Sequence, residues 1–116
     1  MDFKYINTEY LESVSGGDKD VISELISLFK EQVTEMADEM DALYGKGDYY
    51  NLGLQAHKAK SSVAIMGMEE LAAMLKTFEL QAKNGVEASK YPEYINRFKD
   101  ETGIAVTELD EFVKNL

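Results

Sequence analysis

Apolar residues recur every three or four positions along most of the chain, which is the spacing of one face of an α-helix. The longest stripe follows Asp18, a residue suited to a helix N-cap, and stops at the segment GKGD, residues 45–48. Its members are Val21, Ile22, Leu25, Ile26, Phe29, Val33, Met36, Met40 and Leu43. The pattern predicts an amphipathic helix of about seven turns.

A second long helix is predicted to begin after Asp48, a plausible N-cap, and to run through His57 to about Met66. Gly67 fits the cap at its C-terminal end. Its apolar positions, in steps of three and four, are Leu52, Ala56, Ala59, Val63 and Met66.

Two more helices are predicted downstream. One has its apolar stripe within residues 71–82 and ends at Gly85; the other begins near Pro92, which a first helical turn tolerates, and runs to Leu116. The apolar members of the two stripes are Leu71, Met74, Leu75, Phe78, Ala82, Ile95, Phe98, Ile104, Val106, Leu109, Phe112 and Val113.

A short helix is predicted near the N-terminus, over residues 8–15, with Tyr10 and Leu11 turned inward and Gly16-Gly17 at its end. Four substantial amphipathic helices with short connections favour an all-α fold, an antiparallel four-helix bundle. The short helix is an extra N-terminal element. Residues 1–116 are predicted to form a single domain.

Composition narrows the classes of function. Hydrophobic residues make up 45% of the 116 residues and the formal net charge is −10. That charge argues against binding to nucleic acid or to an anionic membrane surface. The chain has no cysteine, no signal-peptide pattern and no apolar stretch near the roughly 20 residues of a membrane span. A cytoplasmic protein without disulfides or thiolate metal sites is expected.

The single histidine of the chain, His57, is predicted to point away from the core. At about 100° per residue, the apolar stripe of its helix lies on the opposite side. Gly53, Lys60, Ser61 and Ala64 surround it, while Leu54 and Ile65 lie on one flank, either exposed or packed on a neighbouring helix. The imidazole is therefore expected to stand above small side chains, where the reactive centre of a second protein can approach it.

Charge supports a reactive role for this face. Residues 49–68 contain none of the 22 acidic residues of the chain, and they include Lys58 and Lys60. A dianionic group is better tolerated here than elsewhere on the protein. A free imidazole is mostly neutral near pH 7 and can act as a nucleophile. An ordinary surface histidine remains the alternative on these observations alone.

The segment AHKAKSSVAIMGMEELAAMLKTFE, residues 56–79, resembles the histidine phosphotransfer (HPt) family of two-component phosphorelays. The family pattern, A-H-x-L-K-G-S-S-x-x-x-G-x-x-x-L with an L-E pair one helix later, is matched at Ala56, His57, Lys60, Ser62, Gly67 and Leu71. Phe78-Glu79 lies where the L-E pair is expected. The segments GGDKDVISELISLFKEQV and ALYGKGDYYNL, upstream of the histidine, are also similar to the family. Two departures from the pattern matter: Ser61 replaces a glycine, and Ala59 replaces a larger apolar residue.

The resemblance implies a phosphorelay intermediate without kinase activity of its own. His57 would accept a phosphoryl group from the aspartate of a receiver domain and pass it to another receiver. Lys60 would stabilise the phosphohistidine. Glu79 would hold the other ring nitrogen or orient Lys60, or it would be a plain surface carboxylate. The domain itself would bind no cofactor or metal, because Mg²⁺ and the remaining catalytic groups would come from the receiver.

The resemblance also implies partners and a docking surface. Receiver domains of response regulators and a hybrid histidine kinase are the expected partners of a monomeric, stand-alone shuttle. The expected docking residues are Gly53, Leu54, Ser61, Ala64 and Ile65, with Ala72 and Lys76. The Ser61 hydroxyl, one turn from His57, would either donate to a phosphoryl oxygen or hinder close approach.

Two rival functions differ in class. A non-catalytic helical adaptor would bind a signalling partner through the same bundle without phosphotransfer. A di-metal bundle enzyme would need paired E-x-x-H motifs, and the chain has only one histidine, with Leu54 three residues before it.

Overall fold

The computed structural model describes residues 3–116, which form five α-helices and one short 3₁₀ turn. Met1 and Asp2, the first two residues of the predicted domain, lie outside the described residues. The helices are α1 (Thr8–Ser15), α2 (Lys19–Lys46), α3 (Tyr49–Ile65), α4 (Glu69–Lys83) and α5 (Tyr91–Lys114), and the 3₁₀ turn spans Ala88–Lys90. The described residues contain no β-strand, and the prediction of an all-α chain is confirmed.

The helix boundaries follow from local chemistry. The carboxylate of Asp18 accepts hydrogen bonds from two backbone N–H groups in the first turn of α2, and that of Asp48 accepts one from the first turn of α3. Gly47 ends α2 in the left-handed conformation, at φ 71°, which costs a residue without Cβ little. A two-residue connection between these helices makes them antiparallel neighbours, as predicted.

The four long helices pack in a closed order, in which α3 contacts α2 and α4, and α5 contacts α4 and α2. The pair α3 and α4 is the most extensively packed. The short α1 lies against α2 and α3. The helical-bundle prediction is therefore confirmed, and the site described below lies on the α3–α4 pair.

One hydrophobic core runs through the bundle, and most of the predicted stripes line it. Four predicted core residues are instead exposed: Tyr10, Val21, Ile104 and Val113. Along α2 and α5 the buried positions advance by three or four, as in Ile95, Phe98 and Thr102 of α5. Ile104 precedes the buried Ala105, and one residue turns a helical side chain by about 100°, so it lies outside the stripe.

The segment before α1 is fixed across one end of the bundle. The carboxylate of Glu108 accepts hydrogen bonds from the backbone N–H groups of Tyr5 (2.8 Å) and Ile6 (3.1 Å). The N–H of Asn7 donates to the carbonyl of Met66, at the end of α3 (3.0 Å). These contacts anchor the segment to both α5 and α3.

Within residues 3–116 no helix combines the length and the apolar character needed to cross a membrane.

Candidate functional site

His57 lies near the middle of α3, and 54% of its side chain is exposed. The predicted core positions Leu52, Ala56, Ala59 and Val63 of the same helix are fully buried. The helix therefore presents the imidazole to solvent on the side opposite its core stripe, as its sequence predicts.

A buried carboxylate lies directly beside the ring. Glu79 projects from α4, only 10% of its side chain is exposed, and its Oε1 is 3.0 Å from Nδ1 of His57. Its other oxygen, Oε2, accepts a hydrogen bond from Nζ of Lys83 at 2.8 Å. Nζ of Lys60 is 3.7 Å from Oε1. Of the alternatives open for Glu79, a plain surface carboxylate is excluded, since it contacts both the ring and Lys60.

Beside His57, α3 and α4 lie close together because residue 53 of α3 is a glycine. A Cβ added at Gly53 would lie 2.8 Å from Cγ of Lys83 and 2.9 Å from the carbonyl oxygen of Glu79. Those separations are shorter than van der Waals contact, so α4 can lie this near α3 only because the side chain is absent. Gly53 is one helical turn before His57, and the contact therefore sets how near Glu79 comes to the ring.

The environment of Glu79 keeps it ionised near neutral pH. The hydrogen bond from Lys83 is the largest influence and lowers the pKa of Glu79. Burial acts in the opposite direction, and the contact with His57 lowers the pKa further. The net result is a pKa below the usual value of 4.5.

An ionised carboxylate can only accept hydrogen bonds, so Nδ1 of His57 carries the proton in the 3.0 Å contact with Glu79. In a neutral imidazole the second nitrogen, Nε2, then has a free lone pair. The ring is thereby held in one tautomer and one orientation, with Nε2 available as a nucleophile.

The charges around the ring favour an incoming anion. With a neutral ring, the single negative charge of Glu79 is opposed by Lys60 and Lys83, which leaves one net positive charge in the cluster. The absence of acidic residues from positions 49–68 keeps further negative charge off this part of α3. A phosphoryl group attached to Nε2 would therefore have two ammonium groups and one carboxylate near it.

The predicted docking residues are mostly accessible. Leu54 and Ile65 are 37% and 41% exposed on α3, so each has an accessible part and a part packed on the protein. Ser61, Ala64 and Lys76 are exposed, and Ala72 is partly buried.

Gly53 is the exception, because the expectation that it lies on the open surface around His57 is wrong. It is buried against Glu79 and Lys83 of α4, and it offers no surface to a partner. A helical wheel gives the direction of a residue relative to its own helix, but it does not show where a neighbouring helix crosses.

Lys83 is the residue that sequence reasoning missed. The sequence spacing could have indicated it, since Glu79 and Lys83 are four residues apart and therefore lie on one face of a predicted helix. In the structure Lys83 contacts the carboxylate more closely than Lys60 does.

Among residues 3–116, no three histidine or acidic side chains gather in an arrangement that could hold a metal ion.

The sequence profile described as the Hpt domain matches residues 24–113, which is most of the chain. The chain belongs to the Hpt domain family. Members of this family carry phosphoryl groups in phosphorelays and work with receiver domains and histidine kinases; they are carriers rather than conventional enzymes. The resemblance seen in the sequence is thus confirmed at the level of family.

This Hpt domain is also similar to a solved structure, the crystal structure of histidine-containing phosphotransfer protein B (HptB) from Pseudomonas aeruginosa PAO1. The two share 23% sequence identity, the similarity covers 99% of each chain, and the TM-score is 0.89. At that identity the likeness supports the fold. Among curated protein sequences, none matches this Hpt domain at a significant level.

Proposed function

We propose that this Hpt domain relays a phosphoryl group through Nε2 of His57, between the aspartates of two receiver domains. The observation that carries the proposal is the 3.0 Å contact between Nδ1 of His57 and the ionised Glu79, because it leaves Nε2 unprotonated on an exposed ring. Family membership supports the type of reaction, and the contact supports Nε2 as the reacting atom.

The proposed step needs no base on this domain. The lone pair of Nε2 attacks the phosphorus of an aspartyl phosphate, and the bond from phosphorus to the aspartate oxygen breaks with its electron pair. A carboxylate leaves, and the ring becomes a phosphorylated imidazolium that keeps its Nδ1 proton. The Glu79 carboxylate, 3.0 Å from that nitrogen, stabilises the positive charge that forms on the ring. Transfer to the second receiver is the reverse of these events.

The remaining groups are divided between the partners. Lys60, one turn beyond His57 with its side chain partly exposed, supplies a positive charge beside the phosphoryl oxygens. Mg²⁺ and the other groups that act on the aspartyl phosphate belong to the receiver. This division leaves the domain with one nucleophile and its electrostatic support.

The receiver would dock on the exposed face around His57. Leu54 and Ile65 supply exposed apolar area, and the small side chains of Ser61 and Ala64 leave space over the ring. Ala72 and Lys76 of α4 extend this face. Buried apolar contact around an accessible nucleophile is what transfer between two folded proteins requires.

The test is incubation with receiver domains that carry a labelled aspartyl phosphate. The wild-type domain should acquire label that is lost in acid and stable in alkali, as expected of a phosphohistidine. His57→Gln should fold, bind the same receivers and remain unlabelled. Lys58→Ala, a change on an exposed neighbour, should be labelled normally and serves as the control.

Two outcomes would refute the relay. Label that persists in His57→Gln would place the acceptor elsewhere. A wild-type domain that binds receivers from its own genome but never acquires label would establish the adaptor function instead.

A further inference from the structure

The two oxygens of the Glu79 carboxylate have different partners. Oε1 faces Nδ1 of His57 at 3.0 Å, and Oε2 accepts a hydrogen bond from Lys83 at 2.8 Å. A carboxylate whose two oxygens are both bound has little freedom to rotate about its last torsion. The hydrogen bond from Lys83 therefore fixes the orientation of the Glu79 carboxylate, and with it the position of Oε1 relative to the ring.

Lys83 is itself held in place by the packing of α3 on α4. Its Cγ and its backbone nitrogen lie close to the position that a Cβ of Gly53 would occupy, at 2.8 and 3.0 Å. Only 30% of its side chain is exposed. The aliphatic part of the Lys83 side chain therefore lies between the helices and holds the ammonium group beside Glu79, whereas the side chain of a surface lysine moves freely.

The contact with Lys83 also compensates the negative charge of the buried Glu79 carboxylate. Taking a carboxylate out of water without a cation favours its protonated form. A protonated Glu79 could donate to the ring instead of accepting from it, and the tautomer would no longer be specified. Lys83 opposes this, since its hydrogen bond is the largest influence that keeps Glu79 ionised.

We propose that Lys83 is a positioning residue for the phosphorelay step, which acts by holding the Glu79 carboxylate turned toward Nδ1 of His57 so that Nε2 remains the free nitrogen. The inference rests on the proposed function of His57 and adds Lys83 to His57, Glu79 and Lys60 as a fourth residue of the site. Lys83 contacts Glu79 and acts on the reacting ring through it.

The effect of losing Lys83 depends on the other charged groups that face the His57 ring. Glu79 and Lys83 come from α4, Lys60 comes from α3, and Lys76 of α4 lies exposed one turn before Glu79. In the described part of the chain, α2 contributes no ion pair to this cluster. Without Lys83, the negative charge of Glu79 is opposed by Lys60 alone, and the doubly protonated ring, which has no lone pair, becomes more favourable.

The test compares Lys83→Met, which keeps the length of the stem without its charge, with the wild-type domain. Loss of one nearby charge should move the pH midpoint of ring titration, followed by NMR, upward by about half a unit. The rate–pH profile of phosphotransfer should move by the same amount. The rate should therefore fall by up to about threefold on the acid limb of the profile and stay unchanged on its alkaline plateau.

Three further variants separate positioning from general effects. Lys83→Arg should restore the wild-type profile, because it keeps a charged donor. Lys90→Met removes a positive charge that pairs with Glu87 away from the site, and it should leave the profile unchanged. In a Glu79→Gln background only the direct effect of the lost charge remains, so the shift caused by Lys83→Met should be smaller than in the wild type, because the part that acts through the carboxylate is absent.

The proposal is overturned if the ring nitrogens of Lys83→Met have the chemical shifts and the titration midpoint of the wild type. It is equally overturned if the shift is as large in the Glu79→Gln background. If Lys83→Met unfolds, Lys83→Gln, which keeps a donor but no charge, replaces it in the same comparison. The NMR readout needs no receiver, so an absence of phosphotransfer would refute the proposed function and leave the role of Lys83 to be decided by the spectra.

Discussion

Replacing Gly53 with alanine should destabilise the protein, although alanine is the better helix former. The added Cβ would lie 2.9 Å from the carbonyl oxygen of Glu79 and 3.0 Å from the backbone nitrogen of Lys83. These are backbone atoms of α4, which can retreat only if the helix moves. Overpacking of this kind costs about 1–3 kcal/mol, while the change from glycine to alanine inside a helix contributes about 1 kcal/mol in the other direction. The net loss should be about 1 kcal/mol.

A matched control is available in α5. Gly103 also lies within a long helix, but a Cβ added there meets no atom within 4 Å. Gly103→Ala should therefore stabilise the protein by about 0.5–1 kcal/mol, from helix preference alone. The two identical substitutions have opposite expected signs, and the difference between them isolates the contact between α3 and α4.

Urea unfolding followed by far-UV circular dichroism measures both changes, since the chain has no tryptophan to report by fluorescence. The NMR spectrum of the His57 ring should change only in Gly53→Ala, because α4 carries Glu79 away as it retreats. If Gly53→Ala is as stable as Gly103→Ala, and its ring spectrum is unchanged, then Gly53 does not set the separation of the helices.

Three other predictions concern Lys60, Glu79 and Glu108. Lys60→Ala should shorten the lifetime of the phosphohistidine about fivefold, the effect of roughly 1 kcal/mol from one nearby exposed charge. Because the pKa of Glu79 is lowered in the folded state, its stabilising contribution is complete above its unfolded-state value and is lost as the pH falls through the folded value. Unfolding measured from pH 6 to pH 3 should therefore show a steeper loss of stability in the wild type than in Glu79→Gln. Glu108→Ala should cost about 1–2 kcal/mol and accelerate amide hydrogen exchange at residues 5–6, since their N–H groups lose a charged acceptor.

The controls for these three predictions differ. Lys58→Ala should leave the phosphohistidine lifetime unchanged, and an equal shortening in both lysine variants would remove the specific role of Lys60. Parallel pH profiles for the wild type and Glu79→Gln would contradict the lowered pKa of that carboxyl. Glu111→Ala, an exposed change one turn beyond Glu108, should leave exchange at residues 5–6 unaffected.

The helices could be predicted from the sequence because their signals are local. Asp18 and Asp48 cap helices through backbone groups two or three residues away, and Gly47 ends a helix by its own conformational freedom. The errors fall at the edges of the apolar stripes. Val21 lies about 100° from Ile22 in the first turn of α2, and at such an edge position periodicity alone does not decide which side faces the core.

The candidate site was predictable only as far as α3 alone determines it. The core stripe of α3 fixes the outward direction of His57, and the wheel places Lys60 beside it. The burial of Gly53 and the contact between Lys83 and Glu79 depend on how α3 and α4 align with each other. That alignment is set by packing between elements distant in sequence, which the spacing within one helix does not contain.

Glu79 carries a sequence signal of its own, because it occupies a core position of an amphipathic helix. It follows Leu75 by four residues and precedes Ala82 by three, and both of these are buried. A carboxylate placed there needs a cation in the fold itself. Lys83 supplies one from the same helix, through a hydrogen bond that exists without any partner protein. The second oxygen is then free to accept from the ring of His57, so the fold itself sets the tautomer of the ring. Under the proposed function, a receiver would dock on a nucleophile that is already oriented, which would lower the entropic cost of the transfer step.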